Sequence, residues 1–235
     1  MIQRVIQRGN ASMAMSLHQW LLISSAFSCL LLTARILITG QLTYLFLTWN
    51  LFLGFIPYAV SHWWYTHSWV AQNRIKLLSL LLLWLAFVPN SFYIITDLFH
   101  LEEFNSAPKW FDLLLIFSFA WNGLLMGVLS IRKTEKVLEI FIGSRFTLFL
   151  VFVVMWLNAL GIYIGRYMRF NSWDIITQPL SFFRETADLV LHPVHYRMEW
   201  GMVHVYAVFM TLIYVTLKKL GEGFTESMPA NAPIN

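Results

Sequence analysis

Six stretches of this chain, at residues 20–38, 44–61, 75–92, 111–131, 146–163 and 201–217, are almost wholly apolar. Each approaches the ~20 residues that a helix needs to cross a hydrocarbon core. No other property narrows the fold as much. Lipid offers no water to the backbone, so such runs must close their hydrogen bonds internally, as helices. The expectation is an all-α, polytopic transmembrane helical bundle of about six spanning helices. Charged residues make up 12% of the chain, about half the soluble norm of roughly 25%. Mean hydropathy is +0.63, and the 11 Trp and 9 Tyr suit membrane interfaces. Residues 20–218 are taken as one membrane domain. A segment at 1–19 precedes it, and a Gly/Pro/Asn-rich tail at 219–235, expected to be disordered, follows. Arg4 and Arg8 precede the first run as in a secretory leader, but no convincing Ala-x-Ala site occurs before Arg35. An uncleaved first helix is therefore expected. Asn10-Ala-Ser12 matches the glycosylation tripeptide, a weak pattern that here belongs on the inner side. Cys29 is the only cysteine, so no internal disulfide is possible.

Basic residues give the orientation. Arg4, Arg8, Arg74, Lys76, Arg132, Lys133, Lys136, Arg145, Lys218 and Lys219 fall on one side of the six runs. Lys109, Arg166, Arg169, Arg184 and Arg197 fall on the other, with Arg35 near the outer end of the first run. Ten against five favours cytoplasmic N- and C-termini. The net charge of +4 and pI of 9.3 do not indicate nucleic acid, because the cations lie between runs rather than in one stripe.

Two polar blocks interrupt this pattern. In Leu85-Ala-Phe-Val-Pro-Asn-Ser-Phe-Tyr-Ile-Ile-Thr-Asp-Leu-Phe-His-Leu-Glu-Glu103, an apolar run meets Pro89-Asn90 and then releases Asp97, His100, Glu102 and Glu103. Proline ends or kinks a helix there. The second block, Gly165-Arg-Tyr-Met-Arg-Phe-Asn-Ser-Trp-Asp174, follows the fifth run. An even number of crossings separates the two, so both face the same side. The short neutral connection at 39–43 predicts an antiparallel hairpin of the first two helices. Asn122 beside Gly123 and Gly127, and the pair Gly161 and Gly165, predict close helix contacts within the bundle, with a partner for the amide. Between helices five and six, Phe182, Phe183, Leu189, Val190 and Leu191 alternate with Arg184, Glu185 and Asp188. This predicts a short interfacial helix.

Several of these motifs occur together and in order: Trp49-Asn50-Leu-Phe-Leu-Gly54 with Pro57, Pro89-Asn90 through Leu101, Trp110-Phe-Asp112, Ser118 through Gly123, and Gly165 through Asp174. Over roughly residues 45 to 215 the chain resembles the bacterial membrane-protein family catalogued as domain of unknown function 1361. The resemblance implies a multi-pass protein of the bacterial cell membrane and transfers no activity, cofactor or catalytic residue.

Ionisable residues at membrane depth are costly, roughly 2.5–3.5 kcal/mol on insertion scales, and generally have a partner or a task. Three readings stay open. In the first, Asp97, His100, Asp112, Arg166, Arg169, Asn171 and Asp174 line an extracytoplasmic site that binds or transports an anionic lipid headgroup or lipid-linked ligand. Arg166 and Arg169 would share a helix face, and Trp110, Trp121, Trp173 and Tyr93 would form the walls. In the second, the same charges form a structural network, with Asp97 or Asp112 paired to Arg166 or Arg169. In the third, Asp97, His100, His192, His195 and Glu199 hold a divalent ion for a membrane-embedded enzyme. No phosphate-binding loop, dinucleotide turn or serine-nucleophile elbow is present. His62 and His67, among tryptophans, are read as interfacial.

Overall fold

A computed structural model of the chain describes residues 15–67, 74–102 and 106–226. Arg4, Arg8, Asn10, Glu103 and residues 227–235 lie outside the described residues. Helices run in the order α1 Leu17–Thr39, α2 Phe46–Thr66, α3 Arg74–Tyr93, α4 Lys109–Ile142, α5 Ser144–Arg166, α6 Asp174–Thr177, α7 Pro179–Leu191 and α8 Arg197–Glu226. A 3-10 segment, Ile94–Glu102, continues directly from α3. No strand occurs among the described residues, and the chain is an all-α bundle.

Helices α1, α4, α5, α8 and α3 with its 3-10 extension are long and apolar enough to cross a membrane. Helix α2 has the length, at 21 residues, but carries Asn50, Ser61, His62 and several indole and phenol rings. It nonetheless runs the height of the bundle. Just before it, the Tyr44 hydroxyl donates to the His100 carbonyl at 3.1 Å. Near its other end, His62 Nδ1 lies 3.1 Å from Lys133 Nζ. These contacts define the two ends of the molecule, called below the Asp97 end and the Glu135 end.

Local signals set the helix limits. Ser16 and Gln19 form a capping box at the start of α1, with bonds of 3.3 and 2.7 Å. Gly40 closes the helix at φ 68°, its N–H donating to Ile36. Helix α4 spans 34 residues, about 50 Å at ~1.5 Å per residue. The charged segment after Ser130, expected as a connection, is therefore helical and extends past a ~30 Å hydrocarbon core. Helix α8 likewise continues to Glu226, beyond the boundary expected at 218. Lys219 and Glu222 pair at 3.0 Å one turn apart, which supports the helix there.

Helix α4 is the central element: 61% of its spanning window is buried, against 22–33% for the other four spans. The predicted hairpin of the first two helices gives way to it. Helix α1 packs chiefly on α4, because its polar groups find partners there. Asn122 Nδ2 donates to Ser28 Oγ at 3.0 Å in mid-bundle, and Arg35 reaches Asp112 at the Asp97 end.

The second organising feature is residues 89–94. The helix does not break at Pro89 but runs on to Tyr93 before tightening to 3-10. Four glycines on three helices cradle it. A Cβ on Gly123 would lie 2.8 Å from the Ser91 carbonyl oxygen, and one on Gly161 2.6 Å from the Pro89 ring. Gly127 faces Phe92 and Gly54 faces Ser91 in the same way. The small residues anticipated as close-packing sites all serve this one segment. Ser91 Oγ donates to the Gly54 carbonyl and Ser130 Oγ to the Pro57 carbonyl, each at 2.8 Å, bracing α2 around its internal proline.

The connection between the last two spanning helices holds two helices where one short one was expected. Helix α6 has four residues and α7 thirteen. Leu189 of α7 is buried against Ala159, Val203 and Ala207, while Leu180, Phe183 and Leu191 are exposed. A helix so divided suits a position along the bilayer surface.

Candidate functional site

At the Asp97 end, α2, α3, α5 and α7 with the 166–174 turn enclose a cavity of about 280 Å³. Pro89 packs on Gly161 and Tyr93 on Gly165 along its α3–α5 side. Leu53, Leu85, Leu157, Leu160 and Ile164 form apolar walls, and Trp49, Tyr93, Phe170 and Phe182 add rings. Polar groups converge from three elements: Asn50, Asn90, Asn171 and Ser172. Asn90 Nδ2 donates to Ser172 Oγ at 3.0 Å, and Ser172 Oγ donates to the Ala86 carbonyl at 3.0 Å, tying the turn to α3.

Behind the Asn50 wall lies Asp97, 1% exposed. Its Oδ2 accepts from Asn50 Nδ2 at 2.8 Å. Its Oδ1 accepts no hydrogen bond among the described residues, although Arg166 Nη1 stands 3.6 Å away. Arg166 also donates to the Tyr93 hydroxyl at 3.4 Å and lies near the Tyr93 and Phe99 rings. A guanidinium carries five donors, so these contacts leave most of the fork available. His100 is half-buried two residues beyond Leu98, its ring edge-on to Phe46 at 5.1 Å.

The other expected site residues are placed differently. Asp112 faces neither arginine of the second block. It forms a closed, buried pair with Arg35, with Nε to Oδ1 at 2.7 Å and Nη2 to Oδ2 at 3.2 Å. Arg35 is further held by Thr43 Oγ1 at 2.6 Å, Ser106 Oγ at 3.1 Å and the face of Tyr44 at 4.4 Å. Arg169 does not share a helix face with Arg166, because α5 ends at Arg166. Arg169 sits exposed at φ 61° in the turn, with no ion pair among the described residues. Asn171 lines the cavity, whereas Asp174 caps the turn that presents it. Asp174 Oδ2 accepts from the Asn171 backbone N–H at 2.6 Å and Oδ1 from the Thr177 hydroxyl at 3.0 Å. The backbone bond from Asn171 holds this carboxyl below its usual range.

The metal-ligand set is not gathered. Asp97 and His100 lie in the 3-10 segment, while His192 and His195 lie in the turn before α8 and Glu199 in its first turn. His192 Nδ1 is 2.9 Å from Asp188, not Glu199, and His195 stacks edge-on to Tyr196. Among the described residues no three His, Cys, Asp or Glu side chains converge on one point. The expected walls also divide: Tyr93 lines the cavity and Trp173 backs it through Trp49, at 6.3 Å, while Trp110 and Trp121 are exposed on α4.

Asn50, Asn90 and Ser172 were missed as site residues. The available signal was a carboxamide within an otherwise apolar run, which needs a partner in lipid. The same reasoning applied to Arg35 would have demanded a buried acid for it.

Long apolar helices, buried charges that are paired, and a polar-lined cavity at one end define a helical membrane protein with several spanning segments. The chain belongs to the family described as Protein of unknown function (DUF1361), whose model matches residues 49–215. No curated protein and no solved structure matches it.

Proposed function

We propose that this is a multi-pass protein of the bacterial cell membrane, with both termini cytoplasmic, that binds a lipid-linked or lipid-like ligand at its extracytoplasmic end. The observation that carries this reading is the cavity enclosed by α2, α3, α5, α7 and the 166–174 turn, apolar on its walls and lined at one side with carboxamides and a hydroxyl. Such a lining favours an amphipathic molecule, its chain against the leucines and its acceptor-rich head toward Asn50, Asn90 and Asn171. Arg166 supplies unused donors beside it, and Asp97 fixes Arg166 and Asn50 while offsetting part of the charge. His100 and Arg169 do not line this cavity. The basic-residue count supports the orientation.

The test is mass spectrometry of lipids that copurify in mild detergent. Wild-type protein is expected to retain one amphiphile class in fixed proportion. Ile164→Trp, which fills the cavity, and Arg166→Gln, which keeps a donor but removes the charge, are expected to lose it with unchanged gel-filtration profiles. Retention of the same molecule in the same proportion by Ile164→Trp would refute the cavity as the site. Unfolding of Arg166→Gln, together with unchanged lipid in Ile164→Trp, would assign the charges to a structural network.

A further inference from the structure

The opposite end of the bundle holds a second cluster that the proposed function does not use. Glu135 of α4 is buried, with its side chain 1% exposed. Its Oε1 accepts from Lys218 Nζ at 2.6 Å, and its Oε2 accepts from Arg132 and from the Tyr214 hydroxyl. Arg132 also reaches Glu222 at 3.2 Å, which in turn takes Lys219 at 3.0 Å. The cluster thus joins α4 to α8. Helix α8 leans mainly on α5 and touches α4 little. The gap between α4 and α8 forms a cleft of about 590 Å³.

The cleft is amphipathic along its length. Leu125, Val128, Leu129 and Leu217 line its upper part, and Arg132, Lys136 and Lys218 line its mouth with Glu222. The charges do not balance. Among the described residues, Arg132, Lys218 and Lys219 pair with Glu135 and Glu222, and Lys136 pairs with neither. Lys136 is exposed, with its Nζ 5.8 Å from the Tyr65 ring and no ion pair among the described residues. Because Glu135 is saturated, it acts as a brace. It holds Arg132 and Lys218 toward the cleft at no further ordering cost to a ligand, which is preorganisation.

We propose that this cleft binds an anionic phospholipid of the leaflet at the Glu135 end. Its phosphate sits at Lys136 and Arg132, and one acyl chain lies along Leu125, Leu129 and Leu217. Phosphate satisfies the excess cations, and the apolar strip above them distinguishes a lipid from a free anion. Basic pockets between spanning helices at this depth suit such headgroups. The site is separate from the Asp97-end cavity and independent of it.

The experiment uses full-length protein in nanodiscs of phosphatidylcholine containing a minor fraction of phosphatidylglycerol, with retained lipid counted by native mass spectrometry after release. Wild type is expected to retain phosphatidylglycerol in excess of its bilayer share. Lys136→Ala is expected to weaken that preference about five-fold, the contribution of one basic side chain at an anionic surface. Arg197→Gln, which removes a charge at the other end, is expected to leave it unchanged. Lys136 is exposed and has no ion pair among the described residues, so its removal is not expected to unfold the protein, and a thermal melt checks this. Equal retention of the two lipids by wild type would overturn the proposal, as would equal preference in wild type and Lys136→Ala. Loss of the preference on adding millimolar inorganic phosphate would overturn the lipid assignment in favour of a free-anion site.

Discussion

The Arg35–Asp112 pair offers the most stringent test of the helix arrangement. Both side chains are almost fully buried, at 0% and 1% exposure, and they are joined by two bonds of 2.7 and 3.2 Å. Asp112→Leu leaves the guanidinium with the Thr43 and Ser106 hydroxyls and the Tyr44 face, and with no anion among the described residues. An uncompensated buried charge of this kind costs about 3–5 kcal/mol. At 1.4 kcal/mol per decade, that raises the unfolded fraction by roughly two to three and a half orders of magnitude. The double variant Arg35→Met/Asp112→Leu removes both charges and keeps the volume filled, so it is expected to recover most of the loss. Unfolding of the four proteins of this cycle in SDS-doped micelles gives the coupling directly. The expected coupling is at least about 2 kcal/mol. The parallel cycle of Asp112 with Arg166, which do not touch in the structure, is expected to give a value near zero. Asp112→Leu costing under about 1 kcal/mol, or a larger coupling to Arg166 than to Arg35, would refute the packing of α1 on α4 described above.

Other outcomes are testable in the same assays. Gly123→Ala would place a methyl 2.7 Å from Ile94 Cδ1 and 2.8 Å from the Ser91 carbonyl oxygen, so a loss of about 1–3 kcal/mol is expected. Gly221→Ala meets nothing within 4 Å and is expected to be neutral or stabilising by up to about 1 kcal/mol; equal effects from the two would refute the glycine cradle. Asn50→Leu removes the hydrogen bond to Asp97 and is expected to destabilise by about 1–3 kcal/mol, since the carboxylate is buried; a neutral result would mean that Asp97 has another partner. The depressed carboxyl of Asp174 contributes stability that is present above its unfolded value and lost as pH falls through its lower folded value. Proteolysis of the 166–178 turn is therefore expected to rise below about pH 4, and Asp174→Asn is expected to be more susceptible already at neutral pH. A variant with the wild-type pH profile would refute the capping role.

The class of fold was legible because its causes are local. A run such as 146–163 needs no knowledge of its neighbours to require a helix in lipid, and Gly40 and Pro108 mark helix ends by backbone restriction alone. The glycine pairs at 123 and 127 and at 161 and 165 announced a close approach, although not what approached: one segment, residues 89–94 across the junction of α3 and the 3-10 helix, fills them all. The candidate site was half legible. Asp97 and Arg166 are brought together, and Asn171 reaches the cavity.

What the sequence could not assign was the choice among equivalent partners. Asp112 had three arginines at the right depth, and the one it takes lies 77 residues away on α1. Arg132, Lys218 and Lys219 read as topology signals until α4 and α8 proved long enough to carry them against Glu135 and Glu222. Apolar runs and backbone breakers determine that the chain folds as a helical bundle and roughly where its helices lie, because lipid imposes those rules residue by residue. Which helix lies beside which, and so which charges close on each other and which face a cavity, depends on packing between segments far apart in the chain. Only the tertiary structure decided that.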